Sequence, residues 1–431
     1  MKVVADLHIH SPYSRAVSKE MTLENLDFWA RRKGIAVMGT GDFTHPAWMR
    51  EIKEKLEPAE EGLYRLKSKY QNPDLKSDER TRFLLTVEIS SIYSKGGKVR
   101  RVHNLIFVPS IVSAEKINTA LGLRGNIKSD GRPILGLDAR ELAKIIFDID
   151  EEAMVVPAHC WTPWFSVFGS MSGFDSLEEC FDEYAKHIYA VETGLSSDPE
   201  MNWRVSMLDR VGLISNSDSH SLRRIGREAN VFECDRSYRG IMGVIQSLNP
   251  KKFLYTIEFY PEEGKYHYDG HRVCGFSCDP EETKRLNKLC PSCGKTVTVG
   301  VMSRVAALAD RPPGSRHAGS IPFKRMVPLD EIVGEAFGLG VASKKVQAMA
   351  GSLVSRVGCE LGVLIDADIA QIASASTPEI AEGVRRVRQG ELFIAPGYDG
   401  EYGKVRIFKD EEHITGRKQR ELFDGIRPPA Q

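Results

Sequence analysis

The 431-residue chain has no apolar run that reaches the ~18 residues needed to span a membrane. That excludes a membrane helix, and no membrane partner is expected. The opening stretch MKVVADLHIHSPYSR also lacks the unbroken apolar segment of a secretory signal, because Asp6, His8 and His10 interrupt it. A cytoplasmic protein is therefore expected. Net charge is missing too: 59 Lys and Arg balance 59 Asp and Glu, so the total argues neither for nor against a nucleic-acid partner. There is no internal repeat, so the fold is not a stack of one repeated unit. What remains is ordinary globular material, 42% hydrophobic, 27% charged and 8% aromatic, enough for a large core and two or three domains.

Charge and cysteine are unevenly placed. Residues 284–325 carry nine Lys and Arg against the single acid Asp310. Such a stretch reads either as a solvated face or as a phosphate-binding surface. Of eight cysteines, Cys160, Cys180, Cys234 and Cys359 are scattered, whereas Cys274, Cys278, Cys290 and Cys293 cluster. In a cytosolic chain that cluster points to metal rather than disulfides.

His8 and His10 alternate after Val3, Val4 and Leu7, so on a strand they share one face. Thr22 then caps a helical pattern of Leu23, Leu26 and Ala30 that Gly34 ends. Further apolar strands follow: IAVMGTGD, FLLTVEIS, HNLIFVP, AMVVPAHC, YAVETG and GLISNSDSH, several separated by helical patterns. Alternating strands and helices imply an α/β barrel or doubly wound sheet with parallel strands. The strands end in His8 and His10, Asp42, Glu88, His159, Glu192, Asp218 and His220, while His103 opens its strand. Barrel active sites collect at such ends. So many buried polar groups need a partner, and a multinuclear metal centre supplies one.

In this order DLHIHS, VEIS, VHNLIF, PAH and NSDSH resemble the PHP metallophosphoesterases. The CPSCG knuckle and the tail APGYDGEYGKVRIF resemble the endonuclease Q branch of that family. The resemblance implies a distorted (β/α)7-type barrel over 1–255, a zinc-binding module over 256–310, a basic linker over 311–328 and a mainly helical domain over 329–431. It implies hydrolysis of DNA 5′ to a deaminated base (uracil, hypoxanthine, xanthine) or abasic site, with damaged DNA as partner. Metal ligands by the same resemblance are His8, His10, Glu88, His103, His159, Asp218 and His220, with Glu192 where some members have another acid. Catalysis would fall to Glu88, Asp218 and His220. Phe43 stands where many members have a histidine ligand, so either Asp42, the favoured choice, or His45 substitutes, or one metal site is altered. Two or three divalent cations would activate water and neutralise phosphoryl charge. The N/O donor set suits Zn, Mn or Fe, with Mg a further option. Cys160 beside His159 reads as a buried neighbour, not a nucleophile.

Cys290-x2-Cys293 has the spacing of a zinc knuckle. Its partner pair is Cys274 with either His271 or Cys278, and the echo of HRVCG in CPSCG favours His271. Either closes one structural zinc site. Because the basic stretch overlaps this module, Lys295, Arg304, Lys324 and Arg325 are expected to grip DNA backbone. Gly338-x-Gly340 with Lys344 and Lys345 reads as a phosphate-facing hairpin or a plain helix turn. Tyr398 and Tyr402 read as base-stacking residues or as turn tyrosines. A replication-clamp partner is not readable from the sequence. The competing functions are a PHP-type small-molecule phosphoesterase, which would need neither zinc module nor basic stretch, and a non-catalytic nucleic-acid-binding protein.

Overall fold

The computed structural model describes residues 1–72 and 80–409. The final charged stretch of the chain lies outside them. Seven strands run round a ring. Lys2–Asp6 pairs in parallel with Val37–Gly39, which pairs in parallel with Arg82–Lys95. Arg82–Lys95 then runs antiparallel to Lys98–Val108, and that strand antiparallel to Met154–Pro157. Cys160 N–H donates to the Glu192 carbonyl at 2.9 Å, handing the ring on to Ala190–Glu192, which pairs in parallel with Gly212–Ile214. His10 N–H donates to the Ser219 carbonyl at 3.0 Å and closes the circuit. The result is the distorted barrel expected.

Its interior is a single apolar cluster to which every strand contributes a fully covered side chain: Ala5, Val37, Leu84, Leu105, Val156, Ala190 and Ile214. Strand alternation turns the neighbours of these residues outward, where a second cluster packs them under the helices. Thr22 caps the helix Leu23–Lys33, and Gly34, at φ 91°, ends it.

The long hairpin was not legible as such. FLLTVEIS and HNLIFVP are pieces of a 14-residue strand and an 11-residue strand. Gly96 and Gly97, at φ 61° and 71°, make the turn between them. Glu88 and His103 therefore lie mid-strand rather than at a strand end and a strand start. The antiparallel register, Ser90 opposite His103, is what carries His103 to the metal end of the barrel.

The main sheet continues beyond the ring. Lys2–Asp6 pairs antiparallel with Ala229–Glu233, then comes Phe253–Glu258 and then, in parallel, Phe323–Arg325. The stretch expected as a linker over 311–328 thus gives a strand to the sheet. A small hairpin, Asp269–His271 with Phe276–Cys278, carries one half of the cysteine cluster. The C-terminal part packs Leu329–Phe337, Lys344–Val357, Ile369–Ala375 and Pro378–Gln389, followed by a hairpin of Phe393–Ala395 with Lys404–Arg406. Among the described residues no helix is long and apolar enough to cross a membrane.

Candidate active site

Three strand ends at the barrel mouth hold non-glycine residues in left-handed backbone: Asp42 at φ 50°, His159 at φ 30° and Asp218 at φ 46°. Such strain persists where the surroundings over-determine it, commonly at functional sites. Around them the histidines and carboxylates converge. His8 Nε2 lies 3.7 Å from Glu88 Oε2 and 3.5 Å from Asp218 Oδ1; His10 Nε2 lies 3.4 and 3.2 Å from the same two atoms. Ligands about 2.1 Å from a cation in a tetrahedron stand about 3.4 Å apart. His8 Nε2, His10 Nε2 and Asp218 Oδ1 are also buried without a hydrogen-bond partner. Orphaned atoms at ligand spacing fit a divalent cation.

A second group adjoins the first. Glu88 Oε1 lies 2.7 Å from His103 Nδ1 and 3.0 Å from His159 Nε2, and those two nitrogens are 3.2 Å apart. Glu88 thus presents one oxygen to each group. His220 completes a third arrangement with His10 and Asp218. Asp218 and His220 are the more open members, their side chains 25% and 34% exposed.

Asp42 and Glu192, expected as ligands, are absent from the ligand groups among the described residues. They stand behind histidines instead. Glu192 accepts from His8 Nδ1 at 3.0 Å, and Asp42 from His10 Nδ1 at 3.1 Å. Each carboxylate therefore fixes the tautomer that leaves Nε2 for a metal. Asp42 Oδ2 also accepts from the Ser11 amide and the hydroxyls of Ser11 and Ser14. Glu192 accepts from the His159 amide and Asn216 Nδ2. Thr162 Oγ1 sits 3.2 Å from His159 Nδ1 and does the same work for that ring. His45 stacks on Tyr13 at 4.5 Å and, among the described residues, belongs to no ligand group. Phe43 is fully buried in the apolar core.

Burial alone would raise the Glu88 carboxyl, but His103 and Arg132 beside it hold it well below the usual range. Burial likewise opposes charge on His8 and His10, yet Glu192 and Asp218 around His8, and Asp42 around His10, raise both imidazoles. Burial pushes His103 down to about 4. Arg132, whose Nη1 donates to Glu88 at 3.0 Å, was not singled out by sequence; only the Asp-Gly turn before it marks the place. Cys160 is fully buried and its thiol is pushed well up by that burial, which suits an inert neighbour.

The second metal-type cluster groups His271, Cys274, Cys290 and Cys293. His271 Nδ1 is 3.4 Å from Cys293 Sγ. Cys278 stands apart, its sulfur 3.1 Å from Thr283 Oγ1. Burial would raise the Cys290 thiol, but the Ser292 and Cys293 amides and His271 bring it down to about 6. A thiolate poised this way fits a closed zinc site.

Residues 328–391 match the MJ0043 C-terminal domain family. Over 257 residues the chain is 34% identical to the uncharacterized protein MJ0043 of Methanocaldococcus jannaschii, covering 57% of this chain and 31% of that protein. The fold matches the lesion-specific endonuclease PfuEndoQ of Pyrococcus furiosus with a TM-score of 0.82 and 30% identity, all of both chains being covered. It matches equally, at TM-score 0.82 and 32% identity over 96% of this chain and 98% of the other, an endonuclease Q in complex with a 27-mer duplex substrate that has an abasic lesion at the active site. This chain belongs to the endonuclease Q family.

The residues expected to touch DNA divide within this endonuclease Q fold. Arg304 is used internally: its guanidinium donates to the Phe168 and Phe174 carbonyls at 2.8 Å and pairs with Asp175. Arg325 pairs with the buried Asp198 and with Glu200. Lys324 lies over the Tyr255 ring at 4.7 Å. Lys295, Lys344 and Lys345 are exposed, Lys345 with its ammonium 4.3 Å from the centre of the Phe337 ring. Tyr398 packs its ring on Gly270, where a Cβ would lie 2.3 Å from it. Tyr402 remains 69% exposed with Lys265 over its ring at 4.5 Å. Gly338, at φ 62°, caps Leu329–Phe337, and Ser343 caps the next helix through the Val346 amide.

Proposed function

We propose that this chain is a metal-dependent DNA repair endonuclease that hydrolyses the phosphodiester 5′ to a deaminated base or an abasic site. The observation that carries this is the shared carboxylate Glu88 between two sets of ligand atoms, in a chain belonging to a family whose solved members include a lesion-specific endonuclease and one holding an abasic duplex. We take 1–255 as the catalytic part, 256–310 as the zinc module, 311–328 as the connection and 329–431 as the helical part.

His8, His10, Glu88 and Asp218 would hold one cation, and Glu88, His103 and His159 a second. His10, Asp218 and His220 form a further group that shares His10 and Asp218 with the first, so we take two cations as the number held together. Phe43 brings no further ligand. Bound divalent metals supply an activated water and neutralise charge on the phosphoryl group. The chain's own contribution is orientation. Asp42, Glu192 and Thr162 lock imidazole tautomers, and the strained strand ends fix the carboxylates before substrate arrives. Asp218 and His220, at the open side, would meet the incoming phosphate. His271, Cys274, Cys290 and Cys293 would hold a structural zinc, and Lys295, Lys344 and Lys345 would contact DNA backbone.

The test is cleavage of duplexes carrying one uracil, hypoxanthine, xanthine or abasic site, with Mn²⁺, Mg²⁺ or Zn²⁺, against an undamaged duplex. Nicking confined to the 5′ side of the lesion is expected. Cleavage no greater than in the undamaged control would remove the reading, and turnover of phosphomonoesters alone would favour a small-molecule phosphoesterase.

A further inference from the structure

The loop leaving His159, residues 160–175, is built more rigidly than a connection requires. Phe168 N–H donates back to the Cys160 carbonyl at 2.9 Å, and Met171 N–H to Pro163 at 3.0 Å. Gly169 and Gly173 are packed so closely that a Cβ on either would come within 2.4 Å of backbone. Thr162 Oγ1 spans from His159 Nδ1 to the Trp164 carbonyl. Phe165 is held in left-handed backbone at φ 62°, an unfavourable conformation for an aromatic residue. Its ring centre lies 4.8 Å from that of His103, and its carbonyl accepts from the His103 amide.

The zinc module clamps this loop from outside. Arg304 ties the Phe168 and Phe174 carbonyls together, and Tyr266 meets Trp164 edge-on at 5.6 Å. At the apex of this braced structure Trp164 is 37% exposed and Met171 63% exposed. A single exposed apolar residue needs no explanation. A tryptophan held up by a strained, doubly clamped loop, one residue from the ring that covers a metal-site histidine, does.

We propose that Trp164 is the residue that engages the base stack of duplex DNA beside the target nucleotide, and that the zinc module acts as the brace that presents it. The inference rests on the endonuclease reading above. A nucleotide inside a duplex must be unstacked to reach a recessed metal centre, and an aromatic face placed against the disturbed step offsets part of that cost. A lesion in a single strand needs no such help. Stacking of one base on an aromatic side chain corresponds to about five- to 150-fold in affinity or rate.

Trp164→Ala and Trp164→Phe are compared with the wild type on one lesion, paired in a duplex and alone in a single strand. Trp164→Ala is expected to lower kcat/KM on the duplex within that range, to leave the single strand within twofold, and to be largely restored by Trp164→Phe. A second readout needs no turnover: in an Asp218→Asn background, Trp164→Ala should weaken binding of the lesion duplex within that same range and leave binding of the single strand within twofold. Equal losses on both substrates, or no loss on either, in rate or in binding, overturn the proposal. Failure of the wild type to cut any lesion would instead overturn the endonuclease reading.

Discussion

Glu192→Gln separates a residue that orients a ligand from one that is a ligand. Glu192 is fully buried, and both its oxygens accept. Oε1 lies 3.0 Å from His8 Nδ1 and 2.9 Å from Asn216 Nδ2; Oε2 lies 3.1 Å from His8 Nδ1 and 2.9 Å from the His159 amide. A glutamine of the same shape must aim its NH2 either at the Asn216 amide or at the His159 N–H. Either way donor faces donor, at a cost of about 1–3 kcal/mol. His8 keeps its Nε2 but loses the firm anchor for its tautomer, and lost support of this kind weakens metal binding about 10- to 100-fold, or roughly 1.4–2.7 kcal/mol. Calorimetric titration of Mn²⁺ into protein freed of barrel metals, with cysteine-held zinc counted separately, reads affinity and stoichiometry together. The expected outcome is unchanged stoichiometry with the weaker constant. Loss of one bound cation would make Glu192 a ligand, and an affinity within twofold of wild type would refute the anchoring argument.

Arg325→Ala should act on stability more than on DNA: it strands the buried Asp198, and breaking a buried pair costs about 3–5 kcal/mol, so a thermal melt should fall by several degrees. Lys344→Ala and Lys345→Ala should leave the melt in place and each lower the slope of log affinity against log salt by about one; an unchanged slope would free these lysines from any DNA role. Burial raises the Glu258 carboxyl to about 8. A folded pKa above the unfolded value of about 4.3 means stability is full below pH 4 and declines as pH rises through about 8. Glu258→Gln should therefore melt higher than wild type at pH 8 and nearly level with it at pH 4; the same difference at both would argue against an ionisation effect. The His271, Cys274, Cys290 and Cys293 cluster would bind zinc through thiolates and a neutral imidazole. Cys274→Ser should lower the zinc content per chain relative to wild type; an unchanged zinc content would contradict the assignment.

The parts of the site that were legible are those with a period or a spacing. His8 and His10 alternate just past the strand Lys2–Asp6, with Val3, Ala5 and Leu7 before them fully covered, and both rings face the same site. The Cys290-x2-Cys293 knuckle is a local geometry that sequence spacing encodes directly. Asp42 and Glu192 lie in the neighbourhood the sequence suggests, each against the Nδ1 of a histidine. A carboxylate at a strand end looks the same in one dimension whether it meets the cation or the far nitrogen of an imidazole, and only the ring's orientation decides. Thr162, Asn216 and Arg132 reach the site from loops, which carry no periodic signal. The Gly96-Gly97 pair is the turn signal in the sequence, and it puts Glu88 and His103 on paired strands.

The basic stretch shows why charge counted along a chain misjudges a binding face. Nine cations and one acid between 284 and 325 suggest a continuous phosphate grip. The balancing acids lie elsewhere in sequence but next to it in space: Asp175 meets Arg304, Asp209 meets Arg311, and Asp198 and Glu200 meet Arg325. These arginines join the zinc module and the strand Phe323–Arg325 to the barrel. The tail loop follows the same logic. Asp399 accepts from the Arg272 amide and the Tyr398 ring packs against Gly270, so the tail loop is joined to the zinc module. Arg304, Arg325 and Tyr398 are engaged within this frame, so removing any of them should disturb the frame itself, in contrast to the exposed Lys295, Lys344 and Lys345.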